Sequence, residues 1–264
     1  MKANVRTSWQ VTRSVWYALF MREALARTTA DRMAWFWMIF EPIAVIALMV
    51  GIRTLVMGKN QLILNAEFIP WLIIGLMGFF LYRENMIRLM GAIDSNKGLF
   101  AYRQVKPVDP VLIRSFVEAT LRSFVFLLFI FIGVLLGLDM LPDKPLIAIW
   151  AWFSLWMLGL GTGLTLSALN KLIPEAGNIA KLLALPLLLV SGVIFPASII
   201  PHHLQLFFLW NPIPHGLEIL RNGFFHQYPV INGVSLLYLW FWALFLLCLG
   251  FILHLRYEMR LKAK

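Results

Sequence analysis

The chain has 264 residues, of which 61% are hydrophobic and only 14% are charged, and its formal net charge is +10. A soluble domain usually carries about a quarter of its residues as charged side chains. Several apolar runs here also approach or exceed the roughly 20 residues that cross a bilayer as a helix. The composition therefore excludes an ordinary soluble domain and predicts an all-α, polytopic membrane protein.

Charges interrupt the first 32 residues throughout, so we predict no cleavable signal peptide there. Trp9, Trp16 and Phe20 follow one another at steps of seven and four, which places them on one face of a helix. Tryptophan beside basic residues is typical of a helix that lies in the headgroup region. We therefore predict an amphipathic interface helix over 1–32, with an extended start to the first membrane span as the alternative.

Six apolar runs predict six membrane spans within a single domain, 1–264. The predicted spans are 33–57, 68–87, 111–138, 146–169, 179–199 and 234–256. Basic residues concentrate in alternate loops, which explains the positive charge without nucleic acid. Because loops rich in lysine and arginine stay in the cytoplasm, we predict a multi-pass membrane protein with both termini cytoplasmic.

The first span begins with a dense aromatic group and an acidic residue. These residues are Trp35, Phe36, Trp37, Phe40 and Glu41. One interpretation is an aromatic belt at the membrane interface. The other is a substrate channel, because aromatic rings suit the C–H faces of sugars, and a long sugar chain needs a lined path when unpaired buried hydroxyls are costly.

A polar segment, 91–110, separates the second and third spans, and we call it the coupling segment. Its large apolar side chains are Leu99, Phe100 and Tyr102, and its cations are Lys97, Arg103 and Lys106. A simple connector between two helices needs no such apolar group. We therefore predict that the segment is cytoplasmic, that a soluble partner binds it, and that the three apolar side chains are buried in that partner.

The third span begins with a charged ladder. Arg114, Glu118 and Arg122 are spaced by four, so opposite charges can pair along one helix face. Near a membrane such a ladder faces protein or water rather than lipid. A structural role and a role in guiding substrate both remain open.

Three glycines, Gly159, Gly161 and Gly163, lie inside the fourth span. No strand precedes them and no lysine follows, so they do not form a phosphate-binding loop. Small residues at such spacings let membrane helices approach closely, and we predict a packing role. Any ATP-driven activity then requires a separate motor subunit.

The segment 200–233, between the fifth and sixth spans, fits no simple span. Its apolar patches are too short to cross, and Asn211, Pro212 and Pro214 interrupt them. These features predict short re-entrant helices on the periplasmic side, which need protein or a water-filled cavity around them. The histidines of this segment lack the spacing of a zinc site, so no metal site is predicted.

The sequence gives little support to other classes of membrane protein. The serines of the spans have no nearby histidine or carboxylate in sequence, so we predict no catalytic residues. The centres of the spans are nearly empty of carboxylates, which argues against an ion-coupled transporter. The single cysteine, Cys248, excludes a disulfide within the chain.

Three motifs give the chain a resemblance to a known family. They are GAIDSNKGLFAYRQVKPVD in the coupling segment, Ile39-Phe40-Glu41-Pro42 in the first span, and Trp210-Asn211-Pro212 followed by His215, Glu218 and Arg221. With the six-span order, they make the chain resemble the membrane subunits of type-2 ABC exporters. It resembles most the inner-membrane permeases of capsular polysaccharide exporters, although Phe40 stands where many relatives have leucine.

This resemblance implies a protein of the bacterial inner membrane. It also implies a homodimer of permeases bound to two ATP-binding subunits, which hold the ATP and Mg²⁺, with no cofactor in this chain. It implies export of a lipid-anchored capsular polysaccharide that passes to a periplasmic adaptor and an outer-membrane exporter. The implied motor-coupling residues are Gly98, Leu99, Phe100, Tyr102 and Arg103. The aromatic group and Glu41 would line the cytoplasmic mouth of the path.

Several alternatives remain open. The substrate of such a permease could be O-antigen, teichoic acid or another glycoconjugate. An exporter of drugs or small lipids and a membrane-embedded polysaccharide-modifying enzyme are further alternatives.

Overall fold

The computed structural model describes residues 7–29, 32–57 and 66–263, which form ten α-helices. Their bounds are α1 Ser8–Thr29, α2 Arg32–Met57, α3 Phe68–Met90, α4 Val108–Leu135, α5 Pro145–Leu172, α6 Pro174–Val190, α7 His202–Leu209, α8 Pro212–Phe224, α9 Leu236–Arg256 and α10 Glu258–Lys262. The first six residues of the predicted interface helix lie outside the described residues. The fold is all-α, as the composition predicted.

Within the described residues, three helices are long and apolar enough by themselves to cross a membrane: α4, α5 and α9. The other three predicted spans correspond to α2, α3 and α6. The apolar part of α2 is limited to Phe36–Ile52. Helix α3 carries charges in its last two turns, and α6 has only 17 residues. Six helices in the predicted order therefore form a multi-pass bundle, although only half of them are strongly apolar throughout.

Helix α5 lies at the centre of this bundle and packs along α3 and α9. A Cβ atom on Gly159 or Gly163 would lie within 3.0 Å of backbone oxygens of α3, and one on Gly161 would lie 2.8 Å from the oxygen of Ala243 in α9. Because side chains essentially never approach backbone this closely, glycine is what permits the contact. The three glycines pack helices on both sides of α5, as their spacing predicted.

Helix α3 is enclosed by protein along most of its length. All its residues from Pro70 to Tyr82 are buried, and it contacts α2, α4, α5, α6 and α8. A helix that is apolar on every face belongs in such a position. Helix α3 therefore contributes to the packing of each of these five helices.

Helix α6 differs from the predicted span 179–199. It begins at Pro174, directly after α5, because proline is tolerated in the first turn of a helix. It ends at Val190, since Gly192 has a φ of +70° that no regular helix continues through. Only Gly177 and Ala184 of this helix are buried, so α6 lies at the edge of the bundle.

The regular helix is interrupted at the end of α6, and we call this interruption the break after α6. Two short helices, α7 and α8, connect it to α9. Helix α8 has 13 residues, a length of about 20 Å at 1.5 Å per residue, which is too short for a hydrocarbon core of about 30 Å. It packs against α3, α5 and α9 instead, and most of its residues are buried. Its backbone is therefore surrounded by protein, which is the condition that re-entrant structure requires.

Helix α1, the coupling segment and α10 lie together at one end of the bundle, which we call the basic end. The coupling segment forms a short 3-10 helix, Asp94–Ala101. It shares a hydrophobic cluster, the coupling core, with α3, α4, α5, α9 and α10. The buried members are Leu89, Ala92, Ile93, Phe100, Val105, Val111, Leu160, Leu164, Ala168, Leu247 and Leu261. The coupling segment is thus joined to the bundle by buried side chains and not only by its ends.

Candidate coupling site and re-entrant site

Phe100 occupies a different position from the one expected. Its side chain is buried in the coupling core, with only 9% of its surface exposed. The coupling segment turns back against the bundle, since Ile93 before the ring and Val105 after it are also buried. The expectation that a partner buries Phe100 is therefore corrected, because the ring is already covered by its own chain.

The other residues assigned to motor coupling remain available at the surface. Tyr102 is 61% exposed, and Gly98 and Arg103 are exposed as well. Leu99 is half-buried at the edge of the coupling core. A Cβ atom on Gly98 would meet nothing within 4 Å, so this turn faces open space. Of the residues assigned to motor coupling, a partner can therefore contact Tyr102, Arg103, Gly98 and part of Leu99.

An ion pair fixes the start of the 3-10 helix to α5. Asp94 lies 3.1 Å from the ammonium of Lys171 and 3.1 Å from that of Lys97. Partial burial opposes ionisation of Asp94, but the hydrogen bonds from these two lysines hold its pKa below the ordinary value. The carboxylate is therefore charged at neutral pH, and the coupling segment is attached to α5 by charge as well as by apolar packing.

A charged network that the sequence analysis did not find surrounds Glu84 of α3, which is 6% exposed. Its carboxylate accepts hydrogen bonds from Arg83 at 2.6 Å and Arg88 at 2.9 Å, and Arg122 of α4 lies 3.4 Å away. Arg83 also donates to Glu41 of α2 at 2.5 Å. The network joins α2, α3 and α4 where α2 has few other contacts with the bundle.

The predicted ladder of α4 forms the other half of this network. Glu118 is 1% exposed and pairs with Arg122 at 3.6 Å, as the spacing predicted, but it also pairs with Arg27 of α1. Arg114 instead binds Glu23 of α1 at 2.7 Å. Because a buried charge is stable only when it is paired, these contacts give the ladder a structural role in holding α1 against α4.

The aromatic group of α2 forms an exposed cluster. Phe36, Trp37 and Phe40 have exposed fractions of 48%, 56% and 42%, and the ring centroids of Phe36 and Phe40 are 4.9 Å apart. The side chain of Trp35 lies outside the described residues. Glu41 is held against α3 by Arg83, whereas the three rings contact one another. The structure therefore places the three rings together in one cluster, whereas Glu41 belongs to the charged network around Glu84.

At the opposite end of the bundle, the Trp210-Asn211-Pro212 motif starts helix α8. The Asn211 side chain accepts a hydrogen bond from the backbone of Ile213 at 3.0 Å and donates one to Ser191 at 3.0 Å. Pro212 occupies the first helical position, where a missing N–H costs nothing. Asn211 therefore caps α8 and ties it to the break after α6, while Trp210 remains 70% exposed.

His215 of α8 joins the two elements that flank this helix in the chain. Its Nδ1 accepts a hydrogen bond from the backbone N–H of Ser235 at 2.9 Å, and its Nε2 lies 2.9 Å from the carbonyl oxygen of Leu209. A neutral ring that carries its proton on Nε2 satisfies both contacts. His215 is therefore a bridge between the end of α7 and the start of α9.

Arg221 is a buried arginine with no exposed surface. Its guanidinium donates to the carbonyl oxygens of Gly192 at 2.8 Å and Val193 at 3.0 Å, and to Glu218 at 3.1 Å. It also lies 3.6 Å from the ring centroid of Trp71. Arg221 therefore satisfies buried backbone oxygens in the irregular segment that follows α6, and it stacks on an aromatic face.

Two further residues complete this re-entrant site, and the sequence did not single them out. Tyr228 lies 3.4 Å from Glu218, and the indole of Trp71 donates to the Tyr228 hydroxyl at 3.1 Å. Trp71 belongs to α3, far away in the chain, so no local pattern links it to the motif. Among the described residues, no group of three or more histidine, cysteine, aspartate or glutamate side chains is arranged to hold a metal ion.

A helical bundle with three strongly apolar helices, a short helix enclosed by protein and a partly exposed polar connector is the architecture of a multi-pass membrane protein. Comparison with known families makes this assignment specific. Residues 14–225 match the ABC-2 type transporter family, and the chain belongs to that family. It is a transporter subunit rather than an enzyme, and membership implies an ATP-binding partner.

Curated relatives match almost the whole chain. The polysialic acid transport protein KpsM of Escherichia coli is 32% identical over 94% of this chain and 95% of its own length. The capsule polysaccharide export inner-membrane protein BexB of Haemophilus influenzae is 28% identical over 96% of this chain and 94% of its own. CtrC of Neisseria meningitidis, with the same description, is 24% identical over 85% of this chain and 84% of its own. The protein is thus similar to inner-membrane proteins of capsule export.

Proposed function

We propose that this chain is the permease of an ATP-driven exporter that moves lipid-linked capsular polysaccharide across the inner membrane. The similarity to three capsule-export proteins over most of their length carries the assignment of the substrate class. The functional unit is a homodimer with two ATP-binding subunits, which hold ATP and Mg²⁺. A periplasmic adaptor and an outer-membrane exporter receive the polysaccharide.

In this proposal the coupling segment lies in the cytoplasm and transmits the movement of the ATP-binding subunits to the membrane helices. Tyr102 and Arg103 face outward, whereas Phe100 is fixed in the coupling core with residues of α3, α4, α5 and α9. A displacement imposed on the outer surface therefore moves these helices together. The ion pair between Arg83 and Glu41 passes the displacement on to α2.

The substrate path follows α2 and α6 at the axis of the homodimer. Both helices pack on α3 and leave much of their surface uncovered within one chain. Leu185 of α6 is 73% exposed, and the aromatic cluster of α2 is about half exposed. A second copy can cover the apolar part of these faces, while the rings remain at the mouth of the path to contact sugars.

The proposed function is tested in cells that lack this protein but retain the other capsule genes. We expect capsular polysaccharide to accumulate inside these cells and to reach the surface again when the protein is restored. The purified permease is expected to retain its ATP-binding subunit and to raise ATP hydrolysis, whereas a subunit without its phosphate-binding lysine gives no hydrolysis. Accumulation of O-antigen or a teichoic acid instead would replace the capsule assignment, and normal surface capsule would contradict it.

The aromatic cluster provides a more local prediction. Replacing Phe36 and Trp37 together by alanine is expected to slow export about thirtyfold, because two aromatic contacts are lost and each contributes on the order of 1 kcal/mol. Binding of the ATP-binding subunit is expected to stay unchanged, since the cluster lies away from the coupling segment. Replacing Phe124 and Phe131 by alanine is the matched control, because these two exposed rings belong to α4 and lie outside the proposed path. Equal rates of surface polysaccharide appearance in both variants would reduce the cluster to an interfacial belt.

A further inference from the structure

A groove lies between helices α5 and α6, with a volume of about 480 Å³, and we call it the α5–α6 groove. Thr162, Thr165 and Leu166 of α5 form one wall, and residues of α6 form the other. The floor contains Tyr82 and Met86 of α3, which are both buried. A volume of this size lies within the usual range of ligand pockets between helices. The groove is therefore large enough to hold part of another molecule.

The local sequence explains why this space exists. Helix α6 begins at Pro174, directly after α5 ends at Leu172, so the two helices diverge from a short connection. The wall that α6 forms includes two small side chains one turn apart, Ala176 and Ala180. Small side chains beside a short connection thus leave a gap between the helices that the chain itself does not fill.

The groove presents hydrocarbon to any occupant. Among the described residues that line it, none is charged. Thr162 donates its hydroxyl hydrogen to the carbonyl oxygen of Leu158 at 3.0 Å. Thr165 donates to the carbonyl oxygen of Leu246 at 2.8 Å, and the Tyr82 hydroxyl contacts a buried methionine sulfur at 3.7 Å. Because a buried polar group without a hydrogen bond is costly, the groove favours an apolar chain over a polar ligand.

The groove lies on the side of α6 that faces away from a second copy in the proposed homodimer. Ala180, Leu183 and Leu187 line the groove at steps of three and four, so they form one stripe. Leu182 and Leu185, which are 76% and 73% exposed, lie about half a turn away around the helix. A partner helix that covers these two leucines therefore leaves the groove open.

The groove opens to the bilayer near the basic end of the bundle. Lys171 of α5 binds Asp94 of the coupling segment, and Leu166 precedes it by five residues, about 8 Å along the helix. Ile179 and Leu183 line the groove and are more than half exposed. Because apolar side chains on the surface of a membrane helix contact lipid tails, the opening faces hydrocarbon and not water.

We propose that the α5–α6 groove binds one acyl chain of a membrane phospholipid, from the leaflet next to the basic end. An acyl chain is linear and carries no polar group, which matches the lining. It restores the dispersion contacts that a gap forfeits, and it stabilises α6, of which only Gly177 and Ala184 are buried. The inference goes beyond the proposed function and does not depend on the capsule assignment.

Photocrosslinking of lipid tests the site. The full-length permease is reconstituted in phosphatidylcholine vesicles with a trace of phosphatidylcholine that carries a diazirine on one acyl chain. After irradiation, modified positions are mapped by mass spectrometry. We expect adducts on Thr162 or Leu166, because of residues 162–166 only these two are accessible and both line the groove. Absence of adducts from 162–166 while exposed helices are labelled would overturn the proposal.

A variant that fills the groove provides a quantitative comparison. Ala180→Trp is expected to lower the yield of adducts on 162–166 about tenfold, which corresponds to about 1.4 kcal/mol of lost lipid binding. Ile252→Trp is the matched control, because Ile252 is exposed near the end of α9 and does not line the groove. Its adducts are expected at the wild-type yield. Equal yields in the two variants would contradict the proposal.

Thermal unfolding separates a filled groove from a misfolded variant. In detergent, added phosphatidylcholine is expected to raise the unfolding temperature of the wild type and of Ile252→Trp. Ala180→Trp is expected to gain little from the lipid, because its indole already occupies the groove. Equal stabilisation of all three proteins by the lipid would count against an acyl chain in this position.

Lipid-linked polysaccharide distinguishes a membrane phospholipid from the lipid anchor of the substrate. With phosphatidylcholine in large excess, the adducts on 162–166 are expected to be unchanged when the purified glycolipid is added. Their loss at an amount of glycolipid equal to that of the permease would overturn the proposal in favour of a substrate site. Normal surface capsule in cells that lack the protein would contradict the proposed function and leave the adducts unaffected, so the two proposals fail separately.

Discussion

Arg221→Leu is expected to destabilise the permease by about 3–5 kcal/mol, because it leaves the buried Glu218 without its cation. The change also removes the hydrogen bonds to the carbonyl oxygens of Gly192 and Val193, which hold the end of α6 beside α8. Leucine cannot replace these donors. Thermal unfolding of the detergent-solubilised protein measures the loss.

Arg256→Leu is the matched control, since Arg256 is exposed at the end of α9 and makes no comparable contacts. Arg221→Lys is expected to fall between the wild type and leucine, because one ammonium cannot reproduce a planar guanidinium that donates to three groups and stacks on Trp71. Adding Glu218→Gln to Arg221→Leu is expected to recover part of the stability by removing the unpaired charge. Identical unfolding temperatures for Arg221→Leu and Arg256→Leu would contradict the structural role of this arginine.

Phe100→Ala and Tyr102→Ala are expected to affect different properties of the permease, although the two rings are only two residues apart. Phe100→Ala removes a ring from the coupling core and is expected to lower stability by about 3 kcal/mol. Tyr102 is 61% exposed, so Tyr102→Ala is expected to leave stability nearly unchanged and to reduce motor binding and ATPase stimulation. The contrast separates a side chain that builds the coupling segment from one that contacts the partner.

Both properties are measured on the same two preparations, by thermal unfolding and by the amount of co-purified ATP-binding subunit. Phe100→Leu keeps most of the apolar volume and is expected to retain more stability than alanine. Should Phe100→Ala unfold like the wild type while losing the motor, Phe100 would be a contact residue as first expected from the sequence. Loss of stability in Tyr102→Ala would show that Tyr102 also supports the folded coupling segment, and would contradict its assignment as a contact residue.

For the coupling segment, the sequence predicted its unusual character but not which of its aromatic rings is buried. Charges flanking an apolar group correctly marked 91–110 as an unusual connector, and the resemblance gave it a role. The sequence could not separate Phe100 from Tyr102, because a 3-10 helix has no long amphipathic period that assigns each ring to a face. Only the position of α5, α9 and α10 against the segment decides which ring is covered.

The charged network illustrates a different limit. The spacing of Glu118 and Arg122 predicted their contact, since residues four apart are neighbours on any α-helix. The partners Arg27 and Glu84 belong to other helices, and no rule of local spacing connects them to α4. A glutamate next to an arginine inside the otherwise apolar α3 was the available signal, because such charges are costly unless another helix pairs with them.

The sequence by itself determined the class of protein, its all-α fold, the packing role of the three glycines in α5 and the need for a separate motor. These properties depend on composition, periodicity and local spacing, which are present before the chain folds. The tertiary structure decided that Phe100 is covered, that Tyr102 is exposed, and that Arg221 binds the break after α6. Each of these depends on residues brought together from distant parts of the chain, whose burial and pairing exist only once the helices have packed.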